Sequence, residues 1–153
     1  MDPRVARLTT VEQCHVFAEN ATEKGVPHLA DQARKRAIQI RAKAFGAVSD
    51  VERACLEAVF AYEEVLSVQK GTRVRAGRTW PMLNKKGILP GVEHIVSKRS
   101  ESVGYSVLVD MGMAEFAFEA VILRFPSSFS SEVVDRARAR LQDSDGSRSS
   151  SPV

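Results

Sequence analysis

The sequence predicts a single, mainly α-helical domain, and three observations support this fold class. Apolar residues recur every three or four positions through most of the chain, which is the period of a helix that packs on one face. Ser and Thr precede several of these runs and Gly follows them, as helix caps do. The 153 residues are 44% hydrophobic and 27% charged, a composition typical of one globular domain.

The first two helices are predicted from Thr9 to Gly25 and from Pro27 to Gly46. In Thr9-Thr-Val-Glu12, the Thr9 hydroxyl and the Glu12 carboxylate form a predicted capping box. Pro27 suits the first turn of a helix, where its missing N–H is not needed. The glycines that follow each apolar run predict the two helix ends.

A third helix, from Ser49 to Gly71, has the most regular apolar stripe in the chain. Ser49-Asp-Val-Glu52 is a second predicted capping box, and Gly71 is the predicted stop. The residues of the stripe share the spacing of three and four: Val51, Cys55, Ala58, Val59, Tyr62, Val65 and Leu66. The three helices make up an N-terminal half, residues 9–71.

The C-terminal half, residues 72–142, contains more Gly and Pro, which predicts short helices joined at angles. Thr79 begins one helix, and Gly87 ends it. Pro90 begins another that runs to about Lys98.

Residues 105–125 admit two interpretations. The segment from Tyr105 to Asp110 alternates as a half-buried strand does, but it also fits a short helix. The segment from Phe116 to Phe125 is the most apolar part of the chain and predicts a buried helix that ends at Pro126. We expect helices in both segments; the alternative is an α+β fold with a small hairpin at 105–125.

A last helix is predicted from Glu132 to Gln142, with Ser130 or Ser131 as its cap. The polar, Ser-rich residues 143–153 predict a disordered tail. The single helical domain is therefore expected to span residues 1–142.

Positive charge is concentrated in one part of the chain. The net charge is +3, but the segment from Lys70 to Arg99 has eight basic residues and one acidic residue, Glu93. This fifth of the chain carries +7, and the remainder sums to −4. Such a distribution favours either a polyanionic partner or electrostatic pairing within the protein.

The basic segment predicts contacts to DNA or RNA. Arginine and lysine neutralise phosphates whatever the base sequence, and a tryptophan among them can stack on an unpaired base. The glycines at 71 and 77 suggest an extended loop that follows a nucleic-acid backbone. The candidate nucleic-acid-binding residues are Lys70, Arg73, Arg75, Arg78, Trp80, Lys85, Lys86, Lys98 and Arg99.

If Gly87 is the turn of a helix-turn-helix, the second helix presents His94, Lys98 and Arg99 outward. That helix is short and has no Asn, Gln or Ser pattern near its start for reading base edges. We therefore expect binding with little sequence specificity.

Two alternatives remain open for the same residues. The lysine and arginine side chains can form a solvated face or pair with the acidic helices. Trp80, which precedes a proline, can pack in the core. The second candidate function is a non-enzymatic interaction or adaptor module, or a homo-oligomer, that docks on an acidic partner. No enzyme activity is expected.

No cofactor or metal site is predicted either. His15, His28 and His94 lie far apart and lack the spacing of zinc ligands. Cys14 and Cys55 fall on apolar stripes, which predicts buried and inert thiols. The sequence contains no Gly-rich phosphate loop and no nucleophile elbow.

Metal-dependent nucleases need two or three acids that converge in space near a lysine. Asp110, Glu115 and Glu119 lie close together in sequence and are the candidates for such a set. Glu119 lies in the most apolar segment, so it must be paired if it is buried. We expect a structural ion pair with Arg78, Arg124 or a base of the second helix.

Three segments, 75–83, 87–93 and 117–124, resemble small, uncharacterised bacterial helical proteins: Arg-Ala-Gly-Arg-Thr-Trp-Pro-Met-Leu, Gly-Ile-Leu-Pro-Gly-Val-Glu and Ala-Phe-Glu-Ala-Val-Ile-Leu-Arg. The resemblance covers residues 75–141 and implies a bacterial origin, with no known active site. The sequence shows no apolar leader and no run long enough to span a membrane, so we expect a cytoplasmic location without membrane contact.

Overall fold

Residues 1–98 and 105–149 are described by a computed structural model, the last six of them by their backbone alone. The described residues form nine α-helices and no strand. The prediction of a mainly α-helical domain is confirmed, and the alternative with a hairpin at 105–125 is wrong. The helices are α1 (Pro3–Ala6), α2 (Val11–Glu23), α3 (Pro27–Phe45), α4 (Asp50–Lys70), α5 (Thr79–Lys86), α6 (Ile88–Lys98), α7 (Tyr105–Asp110), α8 (Phe118–Arg124) and α9 (Ser131–Ser149).

The N-terminal helices begin and end close to where local capping chemistry predicts. The cap of α2 is Thr10 rather than Thr9: the Thr10 hydroxyl accepts from the N–H of Gln13, whose side chain bonds back to Thr10. Ser49 caps α4 by accepting from the N–H of Glu52 at 3.2 Å. The sequence predicts the wrong cap because two threonines are adjacent, and each is followed three residues later by a Glu or Gln that can complete a capping box.

The short helix α1 was not predicted from the sequence. The Asp2 carboxylate accepts from the N–H of Arg4 at 2.8 Å and so caps this single turn. The buried side chain of Val5 anchors it to the rest of the protein.

Three helix boundaries in the C-terminal half differ from the sequence prediction. Helix α6 begins at Ile88, two residues before Pro90. A proline fits there because the first N–H groups of a helix have no partner within the helix. Helix α8 begins at Phe118, because the preceding residues Ala114–Phe116 form a 3₁₀ turn. Helix α9 continues past Gln142 to Ser149, so residues 143–149 are helical rather than disordered; residues 150–153 lie outside the described part.

Helix α4 is the centre of the molecule. It packs against α3, α6, α7 and α8. The fully buried side chains of Cys55, Leu56 and Val59 lie in the largest apolar cluster, with residues of α5, α6, α8 and α9. A separate cluster joins α2 to α3. Because both halves of the chain pack on α4, they form one domain.

A buried ion pair joins two C-terminal helices. Glu119 of α8 and Arg140 of α9 are 6% and 8% exposed, and the Arg140 Nη1 to Glu119 Oε1 distance is 3.4 Å. Arg140 also donates to the carbonyl of Val96 at 2.6 Å. The expected pairing of Glu119 is therefore present, but its partner is Arg140 rather than Arg78, Arg124 or a base of the second helix.

Candidate nucleic-acid interface

Residues 71–78 link α4 to α5 and carry the centre of the basic segment. The backbone N–H of Val74 donates to the Ser67 hydroxyl at 2.9 Å. The N–H of Ala76 donates to the Glu63 carboxylate at 2.8 Å. Two alternate residues are thus bonded to α4, which fixes the backbone of the segment. Arg75 between them and Arg73 just before them are exposed.

Arg73 and Arg75 line an open cleft of about 510 Å³ together with Arg41 of α3. Phe45 and Phe60 supply the aromatic part of its lining. The guanidinium carbon of Arg41 lies 5.9 Å from the centre of the Phe60 ring, within cation–π distance. The cleft therefore combines three cationic side chains with exposed aromatic surface.

The arginines of the cleft act on one another electrostatically. Burial, and next the positive charge of Arg73, lower the pKa of Arg41, although two nearby carboxylates act in the opposite direction. Arg73 also lines two further open clefts, of about 530 and 450 Å³, and its side chain is 53% exposed. Among the described residues, it is the cation shared by these three clefts.

Trp80 lies beneath the cleft, in the core. The residue is 9% exposed, and its indole N–H donates to the Glu63 carboxylate at 2.6 Å. Its ring stacks on Phe45, with centroids 5.5 Å apart and planes 22° apart, and contacts Phe60 at 5.1 Å. The prediction that Trp80 stacks on a base is therefore wrong, because its faces and its donor are used inside the protein.

The buried Glu64 pairs with a histidine on α2. The Nε2 atom of His15 lies 2.9 Å and 3.1 Å from the two carboxylate oxygens of Glu64. Arg73 Nη1 is farther from Glu64, at 3.8 Å, and Arg41 Nη1 lies 3.7 Å from Glu63. The two carboxylates are thus bonded mainly to other donors and only weakly to the arginines.

The remaining candidate residues that the structure describes are exposed, from the end of α4 to the end of α6. Lys70, Arg78, Lys85, Lys86 and Lys98 all present their side chains to solvent. Partial burial, then the charges of Lys86 and Lys98, lower the pKa of His94. Arg99 lies outside the described residues.

Helix α3 carries five further basic residues between positions 34 and 43, and most of them are bonded within the protein. Arg34 pairs with Asp31 on the same helix, at 3.1 Å. Lys35 pairs with Glu115 at 2.8 Å. The Arg36 side chain donates to the carbonyl of Leu8 at 3.0 Å. Pairing with the acidic helices was the alternative for the candidate residues from Lys70 to Arg99, and among them Arg73 has such a contact, to Glu64 at 3.8 Å.

The candidate acids and thiols do not form a reactive cluster. Glu115 and Glu119 are directed to separate basic partners. Cys14 and Cys55 are both buried, as predicted, and burial raises the pKa of Cys55 to about 12. No group of three or more metal-ligating side chains gathers in residues 1–98 and 105–149.

Sequence reasoning missed Arg41, Phe45 and Glu63, which complete the cleft, and His15, which lines the two further clefts. Glu63 falls four residues after Val59, on the apolar stripe of α4, which indicates a buried acid that needs donors. Nothing in the sequence pairs α3 with the 71–78 segment. Bringing Arg41 beside Arg73 depends on the packing of α3 on α4.

Comparisons with protein families, with curated proteins and with solved structures found no match. Within the described ranges, no helix is both long and apolar enough to cross a membrane.

Proposed function

We propose that this protein binds nucleic acid through its phosphate backbone, with little sequence preference. The observation that carries the proposal is the convergence of Arg41, Arg73 and Arg75 in one open cleft. Guanidinium groups bind phosphate oxygens through several N–H donors at once. The cleft is open rather than enclosed, which suits a chain-like ligand better than a small molecule.

The charge balance of the cleft favours an anionic ligand. Glu63 Oε2 already accepts from two N–H groups, at 2.8 and 2.6 Å, and both oxygens of Glu64 face His15. The contacts of these acids to Arg41 and Arg73 are longer, at 3.7 and 3.8 Å. The guanidinium groups therefore keep donors for phosphate oxygens.

Exposed lysines and arginines beyond the cleft extend the same positive surface. A polyanion gains affinity from each phosphate that is neutralised, because condensed counterions are released. The cations from Lys70 to Lys98 offer such contacts without a set of side chains placed to read base edges. Sequence-tolerant binding follows from this arrangement.

Docking on an acidic protein is the second candidate function, and two exposed valines favour it. Val16 and Val68 are 52% and 44% exposed, and each lines one of the clefts that Arg73 borders. Apolar side chains beside a charged cleft are common in protein interfaces. A protein partner that binds there would compete with nucleic acid for Arg73.

The test is the affinity for labelled single-stranded and duplex oligonucleotides of a variant with Arg73, Arg75 and Arg78 changed to Ala. We expect about tenfold or greater weakening for every base sequence, because sequence-independent phosphate contacts are lost. The control changes Arg7, Lys24 and Arg138 to Ala, which removes equal charge from exposed positions that do not line the cleft. Equal affinities of the two variants would contradict the proposal.

A further inference from the structure

Phe45 exposes an aromatic ring at the edge of the arginine cleft. It is the last residue of α3, and it remains 49% exposed. The next residue, Gly46, turns the chain away in the left-handed conformation, with φ of 89°. The ring is therefore left at the end of the helix, where the following chain does not cover it.

The ring is held from behind by a stack of aromatic side chains. Trp80 lies parallel to Phe45, at 5.5 Å between centroids, and Phe60 approaches edge-on at 6.5 Å. Trp80 is itself fixed by its bond to the buried Glu63. A backed ring with half of its surface in water is a rigid platform that a planar ligand can cover at a small entropic cost.

The platform and the phosphate-binding cations share one cleft. Phe45 lines it together with Arg41, Arg73 and Arg75. A nucleotide has both parts that this cleft complements, since its base is a flat ring and its phosphate is an anion. Only an unpaired base offers a face, because the bases of a duplex are stacked on each other.

We propose that Phe45 stacks on an unpaired base while Arg41, Arg73 and Arg75 hold the neighbouring phosphates, so that the protein prefers single-stranded nucleic acid. This inference rests on the proposed function and adds the strand form of the ligand. It also moves the stacking role from Trp80, where the sequence suggested it, to the exposed ring that Trp80 supports.

The experiment compares Phe45→Leu and Phe45→Tyr with the wild-type protein. Affinities are measured by fluorescence anisotropy for a single strand of about 12 nucleotides, a duplex of the same length and a single strand with abasic sites. We expect Phe45→Leu to bind the normal single strand about tenfold more weakly, because one base stack is lost, and Phe45→Tyr to retain wild-type affinity. Duplex affinity should stay unchanged in both variants.

The abasic strand separates stacking from damage to the fold. It keeps the phosphates but offers no ring, so wild type and Phe45→Leu should bind it equally well. The proposal is overturned if Phe45→Leu matches wild type on the normal strand, or if its affinity falls equally for all three ligands. If the wild-type protein binds no oligonucleotide, the proposed function itself fails. If the arginine variant loses binding but Phe45→Leu does not, the proposed function stands and the stacking proposal fails.

Discussion

Glu63 joins the surface cleft to the interior of the protein. Its carboxylate is 3% exposed and accepts from the backbone of the 71–78 segment and from the indole of Trp80. One side chain therefore positions both the loop that carries the arginines and the aromatic stack beneath them. Its structural role is needed for the geometry of the candidate site.

Replacing Glu63 tests this role. Glu63→Ala leaves two buried N–H donors without their acceptor, and we expect the free energy of unfolding to fall by about 3 kcal/mol. Glu63→Gln keeps an acceptor oxygen and should cost about 1 kcal/mol. Urea denaturation followed by the fluorescence of the single tryptophan measures both. Equal losses for the two variants would contradict the bonding assigned to this carboxylate.

The buried thiol of Cys55 predicts a dependence of stability on alkaline pH. Burial, the main cause, raises its pKa from 9.0 to about 12. Above pH 9 the unfolded chain releases a proton that the folded protein keeps, so rising pH favours unfolding. The stability that the protonated thiol contributes is fully present below the pKa of cysteine in the unfolded chain. It is lost as the pH rises toward 12, by at most about 1.4 kcal/mol per pH unit.

The comparison is between wild type and Cys55→Ala, each unfolded by urea at pH values from about 8 to about 10.5, a range that begins below the reference pKa of cysteine. The wild-type stability should decline more steeply, since Cys14 and the other titrating groups are common to both proteins. Parallel declines would show that Cys55 does not keep its proton in the folded state.

At the scale of elements, the α5–α6 corner depends on close contact between two helices. A Cβ atom at Gly91 of α6 would lie 2.6 Å from Leu83 Cδ2 and 3.2 Å from Leu83 Cα. The absence of a side chain at Gly91 lets α5 and α6 approach. The same corner brings Lys86 close enough to His94 for its charge to lower the pKa of that imidazole.

Gly91→Ala should therefore lower the free energy of unfolding by about 1 kcal/mol, because the added methyl overpacks the helix contact. In an open helix the same change raises helix stability by about that amount, so the sign is diagnostic. Gly77→Ala is the control, since no atom lies within 4 Å of a Cβ placed there. Thermal unfolding of the two variants and of the wild-type protein measures these changes. A Gly91→Ala protein more stable than wild type would contradict the close packing.

At the scale of the whole molecule, the helices were more predictable than their packing. The bounds of α3 and α4 follow from Pro27, Gly46 and Gly71, because caps and stops act within a few residues. The partner of Glu119, Arg140, could not be predicted, because the pairing depends on how α8 lies against α9.

The candidate site shows the same division. Arg73 and Arg75 were identified from local charge, while Arg41 and Phe45 reach the cleft through the packing of α3 on α4. Trp80 was correctly placed at the start of a helix, but its burial depends on the aromatic partners that the fold supplies. Residue types are read from sequence, whereas their convergence is a property of the tertiary structure.

The central claim is that the basic surface binds phosphates, and the salt dependence of binding tests it most directly. The affinity of the wild-type protein for a labelled single strand is measured from about 50 to about 200 mM salt, with its mass in solution recorded alongside. If each of the three cleft arginines binds one phosphate, the affinity should fall about 20-fold over this range, and changing Arg73, Arg75 and Arg78 to Ala should flatten the slope. No binding at low salt, or binding independent of salt, would contradict the claim and direct attention to an acidic protein partner.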